Sequence, residues 1–147
     1  MHILMASDHA GWELKELLAA HTRDLGHDVV DLGTHGPEPV DYPGFAHDLA
    51  ARLLAGEGDF GVLACGTGIG VSISANRHPG VRAALCHDAF TAQAARRHNN
   101  ANVLCLGGRT TGPGVAQQIL ELFLSTPFEG GRHARRVAAI EPKGETS

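Results

Sequence analysis

Residues 60–70, Phe60-Gly61-Val62-Leu63-Ala64-Cys65-Gly66-Thr67-Gly68-Ile69-Gly70, join an apolar run to a glycine-rich turn. Residues 60–64 read as a buried strand, and residues 71–76 can open a helix. A strand, a glycine turn and a helix start together make an anion cradle, because unpaired backbone N–H groups converge there. This cradle begins with a thiol. The partial positive charge of a helix N-terminus favours the thiolate of a nearby cysteine. One short loop therefore offers both a base and a place to hold negative charge.

The same strand-then-helix rhythm extends on both sides. Residues 3–6, 29–32, 81–86 and 103–106 read as further buried strands. Helical spacing covers residues 11–22, where Trp12, Leu14, Leu17, Leu18 and Ala19 recur, and residues 45–55, 88–97 and 114–124. Near-continuous apolar strands alternating with helices predict a parallel sheet covered on both faces. The expected fold is α/β: a three-layer α/β/α Rossmann-like domain with five parallel strands and right-handed crossovers. The 147 residues suffice for one domain over 1–147, with an arginine-bearing tail from about 127 to 147. The last residues, 141–147, are expected to fray.

Bulk composition narrows the function classes. Hydrophobic residues make up 43% and charged residues 19%, as in an ordinary soluble globular protein. The net charge of −4 argues against nucleic acid or an anionic membrane recognised by bulk charge. Aromatics at 5% leave few stacking platforms for bases. The three cysteines, Cys65, Cys86 and Cys105, are odd in number and far apart, which suits a reducing cytoplasm. No apolar stretch approaches the ~20 residues of a membrane span, and the first residues do not read as a signal peptide.

In open parallel sheets, ligands sit at the carboxyl ends of the strands. Asp8, His9, Ala10 and Gly11 follow the first strand, and the Cys65 loop follows the third. His87 and Asp88 follow the fourth, and Gly107, Gly108 and Arg109 the fifth. If strands one and three are neighbours, Asp8, His9 and Cys65 share a crevice. Asp8 also reads as a helix cap, and His98, at a helix end, as a cation placed on the dipole. A dinucleotide fingerprint fits poorly. It wants G-x-G-x-x-G/A after the first strand, whereas Val71 stands at the third small position and the loop follows the third strand. Asp88 more simply caps the next helix. Cys86 and Cys105 read as packing residues, and His21, His27 and His47 as solvent-facing. No H-x-x-x-H, H-x-H or C-x-x-C pattern occurs, so no metal site is expected. Arg132 and Arg136, four apart, share a face if their segment is helical, and two guanidiniums together suit a phosphate.

A thiol, glycine-loop N–H donors, the Thr67 hydroxyl, an Asp-His pair, a His-Asn pair and several arginines suit proton transfer beside the carbonyl of a phosphorylated small molecule. The chain resembles the ribose-5-phosphate isomerase type B family, which includes allose-6-phosphate and galactose-6-phosphate isomerases. The resemblance rests on Ser7-Asp8-His9-Ala10-Gly11, Asp41-Tyr42-Pro43, Cys65-Gly66-Thr67-Gly68-Ile69-Gly70, Ser74-Ala75-Asn76, Arg97-His98-Asn99, Asn102-Val103-Leu104 and Glu129-Gly130-Gly131-Arg132-His133, which run in the family's order along nearly the whole chain.

That resemblance implies an aldose–ketose isomerase of the pentose phosphate pathway. Cys65 would carry the proton between C1 and C2, and Thr67 would move protons at the sugar oxygens. Asp8 and His98 would open the furanose ring. Asn99 and the backbone of Gly66, Gly68, Ile69 and Gly70 would hold the enediolate. His9, Arg109, Arg132 and Arg136 would bind the phosphate. One branch of the family replaces the cysteine with a glutamate slightly further along. Val71, Ser72, Ile73 and Ser74 offer no carboxylate, so this chain is similar to the cysteine branch. The family implies a cytoplasmic homodimer or homotetramer with sites shared between subunits, strands one and three adjacent, and no metal or organic cofactor. Cys86-His87-Asp88 matches no family element. The alternatives are an isomerase of a six-carbon or four-carbon sugar phosphate, and a non-catalytic flavodoxin-like module that holds a nucleotide or phosphate.

Overall fold

In the computed structural model, which describes residues 1–144, strands and helices alternate. The order is β1 (His2–Ser7), α1 (Trp12–Asp24), β2 (Asp28–Asp31), α2 (Tyr42–Leu54), β3 (Phe60–Cys65), α3 (Ile69–Ala75), β4 (Ala83–Leu85), α4 (Ala89–Asn99), β5 (Val103–Gly107), α5 (Pro113–Ser125) and α6 (Arg132–Ala138). The expected frayed end over 141–147 lies partly, at 145–147, outside the described residues.

All strand pairs are parallel, and the sheet order is β2-β1-β3-β5-β4. Period-two alternation divides the core into two. Ile3, Met5, Val62, Leu104 and Leu106 face one helix layer with α1, α4 and α5. Leu4, Ala6, Leu63, Val103 and Cys105 face the other, with α2 and α3. Continuous strand burial, such as Val103–Gly107, follows from cover on both faces. The fifth strand inserts between β3 and β4. The short β4 is therefore one edge and β2 the other, and neither is fully buried, although the sequence reads both as buried strands.

Local chemistry explains where the elements start and stop. Asp88 caps α4 as expected: its side chain accepts from the Thr91 N–H at 2.7 Å in a capping box. Helix α2 starts at Tyr42, three residues before the expected start, because Pro43 is tolerated in a first helical turn. Helix α3 likewise starts at Ile69, because Gly68 (φ 78°) turns the chain sharply just before it. Residues 132–138 are helical, which puts Arg132 and Arg136 on one face.

One buried charge has no precedent in the apolar pattern. Lys15, on the core side of α1, is 1% exposed. Its Nζ donates to both oxygens of Asp31 at 2.5 and 2.6 Å and to Glu16 at 3.0 Å. Those bonds pin α1 to the end of β2.

Candidate active site

Strands β1 and β3 are adjacent, and their helices leave toward opposite faces of the sheet. The loops after them therefore diverge and open a crevice at their carboxyl ends, the switch point where open α/β sheets bind ligands. A cleft of about 450 Å³ lies there, walled by Asp8, His9, Cys65, Thr67, Arg109 and Tyr42. Gly66, Ile69, Gly70, Ala10 and Ile73 complete its surface.

Close backbone contact makes this crevice. A side chain on Gly11 would collide with the backbone of Ala64 and Cys65, so only glycine lets α1 begin against the end of β3. The Asp8 N–H donates to Ala64 O at 3.2 Å. Its Oδ1 accepts from the N–H groups of Ala10 and Gly11 at 2.9 and 3.0 Å. The carboxylate is thereby held in a turn, although Gly11 and not Asp8 is the N-cap of α1. His9 Nδ1 accepts the Val40 N–H at 3.2 Å, which ties the β2–α2 loop to the crevice. In the neutral ring the proton then sits on Nε2.

Cys65 ends β3 and is 4% exposed. The Gly68 N–H points at its Sγ from 3.1 Å, so a backbone dipole faces the charge a thiolate carries. Thr67 Oγ1 accepts the Ile69 N–H at 3.2 Å and is exposed to the cleft. The end of β5 is laced to the same loop: Gly108 N donates to Cys65 O at 2.8 Å, and Arg109 N to Gly66 O at 2.9 Å. This brings the Arg109 guanidinium over Gly66. The other two thiols lie away from this chemistry. Burial pushes the Cys86 pKa up to about 11, and burial followed by the neighbouring Cys65 and Cys86 raises Cys105 well above the usual range. Both pack in the core, as the sequence predicts.

His98, Asn99 and Arg136 lie elsewhere. They line a second cavity, of about 360 Å³, with His133, Val137 and Ile140. Arg132 stands on the same helix, α6. The reason is topological. Helix α4 runs antiparallel to the strands, so its C-terminus delivers His98 and Asn99 to the amino edge of the sheet. Cys65 pairs in register with Gly107, the last residue of β5. Four steps of strand, about 13 Å, separate Gly107 from Val103, and His98 lies before Val103. Within one chain Asp8 and His98, the pair expected to open the sugar ring, therefore do not meet.

The second group is firmly held. Arg96 is buried beneath it, 4.6 Å from the Phe60 ring centroid, and donates to Thr126 O, Asn100 Oδ1 and Ala101 O. Asn100 closes α4 in the left-handed region at φ 46°. The Glu129 N–H donates to Arg97 O at 3.1 Å, which docks the segment before α6 on α4. His98 stacks on the buried His133 with centroids 4.5 Å apart. Burial, then His98, then Arg132 lower the His133 pKa.

Tyr42, with Ala10 and Ile73, is a cleft residue absent from the sequence-derived site. Its ring lies where a Gly70 side chain would be. It is the only tyrosine of the chain, and its place in Asp41-Tyr42-Pro43 was the available signal. Ile69 and Ile73, 51% and 59% exposed, form the apolar rim of the cleft.

A model of the family described as ribose/galactose isomerase matches residues 3–140. Ribose-5-phosphate isomerase B of Escherichia coli is 44% identical over 138 residues, covering 94% of this chain and 93% of that protein. The structure of Clostridium thermocellum ribose-5-phosphate isomerase B superimposes with a TM-score of 0.93 at 46% identity, covering 94% and 93% of the two chains. The Thermotoga maritima ribose 5-phosphate isomerase superimposes with a TM-score of 0.92 at 51% identity, covering 93% and 94%.

Proposed function

Because the chain belongs to the ribose/galactose isomerase family, we propose that it interconverts ribose 5-phosphate and ribulose 5-phosphate through an enediolate. The observation that carries this reading is the Cys65 sulfur at the β1–β3 switch point, in a cleft it shares with Asp8, Thr67 and Arg109. A sulfur base, a carboxylate, a hydroxyl and a cation around one small cleft match the parts that a 1,2-proton shift on a phosphorylated sugar needs.

The steps balance as follows. Asp8 and His98 move a proton from the anomeric hydroxyl to the ring oxygen, and the furanose opens to the aldehyde. The Cys65 thiolate removes the C2 proton, and the electron pair moves through C1=C2 to place negative charge on O1. The backbone N–H groups of Gly66 and Gly70, with Asn99, hold the oxyanion, because those of Gly68 and Ile69 are engaged by Cys65 Sγ and Thr67 Oγ1. Thr67 helps the O2 proton pass to O1. Cys65 then returns its proton to C1, which leaves the C2 ketone. His9, Arg109, Arg132 and Arg136 hold the phosphate. Because phosphate is bound alike in ground and transition states, losing one of these arginines chiefly raises KM.

Since His98 and Cys65 lie at opposite edges of the sheet, the working site combines one subunit's cleft with another subunit's His98, Asn99, Arg132 and Arg136. The active form is a symmetric homodimer, or a tetramer of such dimers, of a chain that acts as one domain over 1–147. It works in the cytoplasm, in the pentose phosphate pathway, and takes no cofactor.

Subunit complementation tests the shared site. Cys65→Ala and His98→Asn chains are each inactive alone. Mixed by co-expression, they form heterodimers in which one of the two sites has both native residues. The mixture should recover about a quarter of wild-type activity, as an isologous pair requires. No recovery in verified heterodimers would rule out the shared site. The substrate is tested by comparing kcat/KM on ribose 5-phosphate, allose 6-phosphate, galactose 6-phosphate and a tetrulose phosphate. Ribose 5-phosphate should rank first, and a higher value for any other sugar reassigns the substrate.

A further inference from the structure

No spacing along the sequence marks a metal site, but the fold brings donors together from two segments. His98 from the end of α4 meets Glu129 and His133 from the start of the α6 region. One ligand atom from each lies within 4.8 Å of the other two. His133 Nε2 is 3.5 Å from Glu129 Oε2, four residues apart in sequence. The backbones are already locked together through Glu129 N and Arg97 O. The cavity beside His98 and His133 gives an ion access.

We propose that His98, Glu129 and His133 form a binding site for a divalent first-row metal ion of the Zn²⁺ class, and that its occupancy inhibits the enzyme by capturing His98. Two imidazoles and a carboxylate are a donor set that Zn²⁺ takes, at about 2.0–2.2 Å from each atom. Donors around such an ion stand roughly 3.4 Å apart, so the cluster contracts by only about an ångström on binding. The stacked rings do not yet aim their lone pairs at one point. His98 is exposed and free to rotate about its side-chain bonds, whereas His133 is fixed by burial. Rotation of one ring therefore completes the chelate. Arg132 and Arg136 on α6 flank the site, and their charge limits affinity without removing any donor. The other three-donor cluster, Glu16, Asp31 and His35, differs in kind, because the Lys15 ammonium already sits on Glu16 and Asp31. Mg²⁺, a hard ion that prefers all-oxygen ligands, does not suit the imidazole pair.

The inhibitory consequence rests on the role proposed above for His98, but the site itself does not, and the experiment separates the two. The full-length protein is dialysed against ZnCl₂ and its retained metal is counted, for wild type, Glu129→Gln and His133→Asn. Wild type should retain one more Zn²⁺ per chain than either variant. Isomerase assays in the same ZnCl₂ series should show half-inhibition of both variants shifted upward by at least about 10-fold. The activity of Glu129→Gln without metal should stay at the wild-type level, and MgCl₂ should inhibit none of the three proteins. Glu129 is exposed, so Glu129→Gln reads the site even if His133→Asn fails to fold. Equal zinc retention by wild type and Glu129→Gln, or equal half-inhibition, overturns the proposal and moves the metal elsewhere, with Cys65 the next place to look. Selective zinc retention by a wild-type protein that turns over no sugar phosphate keeps the metal site and rejects the isomerase reading.

Discussion

Replacing Cys65 with alanine is expected to lower kcat on ribose 5-phosphate by about 10²- to 10⁴-fold, the usual range for loss of a general base. KM should change little, because the proposed role sets the thiol against the C1–C2 edge of the sugar and not the phosphate. Its side chain ends β3 with Sγ 3.1 Å from the Gly68 N–H, so the substitution leaves the backbone cradle in place. The cavity from one lost sulfur is small, and thermal unfolding serves as the control for folding. Cys65→Ser is the sharper comparison. A serine hydroxyl fits the same space but is far less acidic than a thiol and should restore almost none of the rate. Exchange of the C2 hydrogen with solvent D₂O should fall in parallel, since it reports the same proton abstraction. Turnover within a few-fold of wild type in Cys65→Ala removes the sulfur from the mechanism and shifts attention to Asp8.

The largest stability effect is expected at Lys15. Lys15→Met keeps the length of the side chain but leaves Asp31, whose side chain is only 19% exposed, without its cation. Breaking one half of a buried ion pair costs about 3 kcal/mol, toward the lower end of the usual range because Asp31 retains some solvent. Urea unfolding should show this as a lower midpoint at an unchanged slope. The double variant Lys15→Met/Asp31→Leu should recover most of the loss, since replacing both partners removes the unpaired charge. A neutral Lys15→Met variant would mean that the pair contributes nothing.

The same pair sets an acid limit. Burial alone raises the Asp31 pKa, but the hydrogen bonds from Lys15 and from the Gly33 N–H outweigh it and hold the pKa below the usual 3.8. A carboxylate whose pKa is depressed on folding stabilises the protein above its unfolded pKa, and the contribution is lost as pH falls through the folded value. Wild type should therefore lose stability below about pH 4 by a component that the double variant lacks.

Much of this was legible in the residues themselves. Each of the five expected strands is present: β1, β3 and β5 announce themselves as continuous apolar runs because both faces are buried, whereas the edge strands β2 and β4 are apolar but only partly buried. Asp88 reads as a cap from local chemistry alone. The cleft residues were also legible, since Asp8, His9, Cys65, Thr67 and Arg109 all lie at or just beyond strand ends, which converge at one edge. Lys15 was not, because helical periodicity marks which face a residue is on and not whether a carboxylate waits there. Tyr42 was legible only as part of a motif, since its contact with Gly70 joins the first turns of α2 and α3, which are distant in sequence.

The alternation of apolar strands with helices, and the glycine turn that follows Cys65, are properties of neighbouring residues. The sequence by itself determined them, because strand burial and turn conformation depend on local side chains. Where His98 stands relative to Cys65 depends on sheet order and helix direction, which are set by contacts between residues far apart in the chain. Only the tertiary structure decided that β5 inserts beside β3, that α4 ends at the opposite edge, and that His98 meets Glu129 and His133 there. A strand's length of sheet lies between the two halves of the candidate site, and no local pattern records that distance.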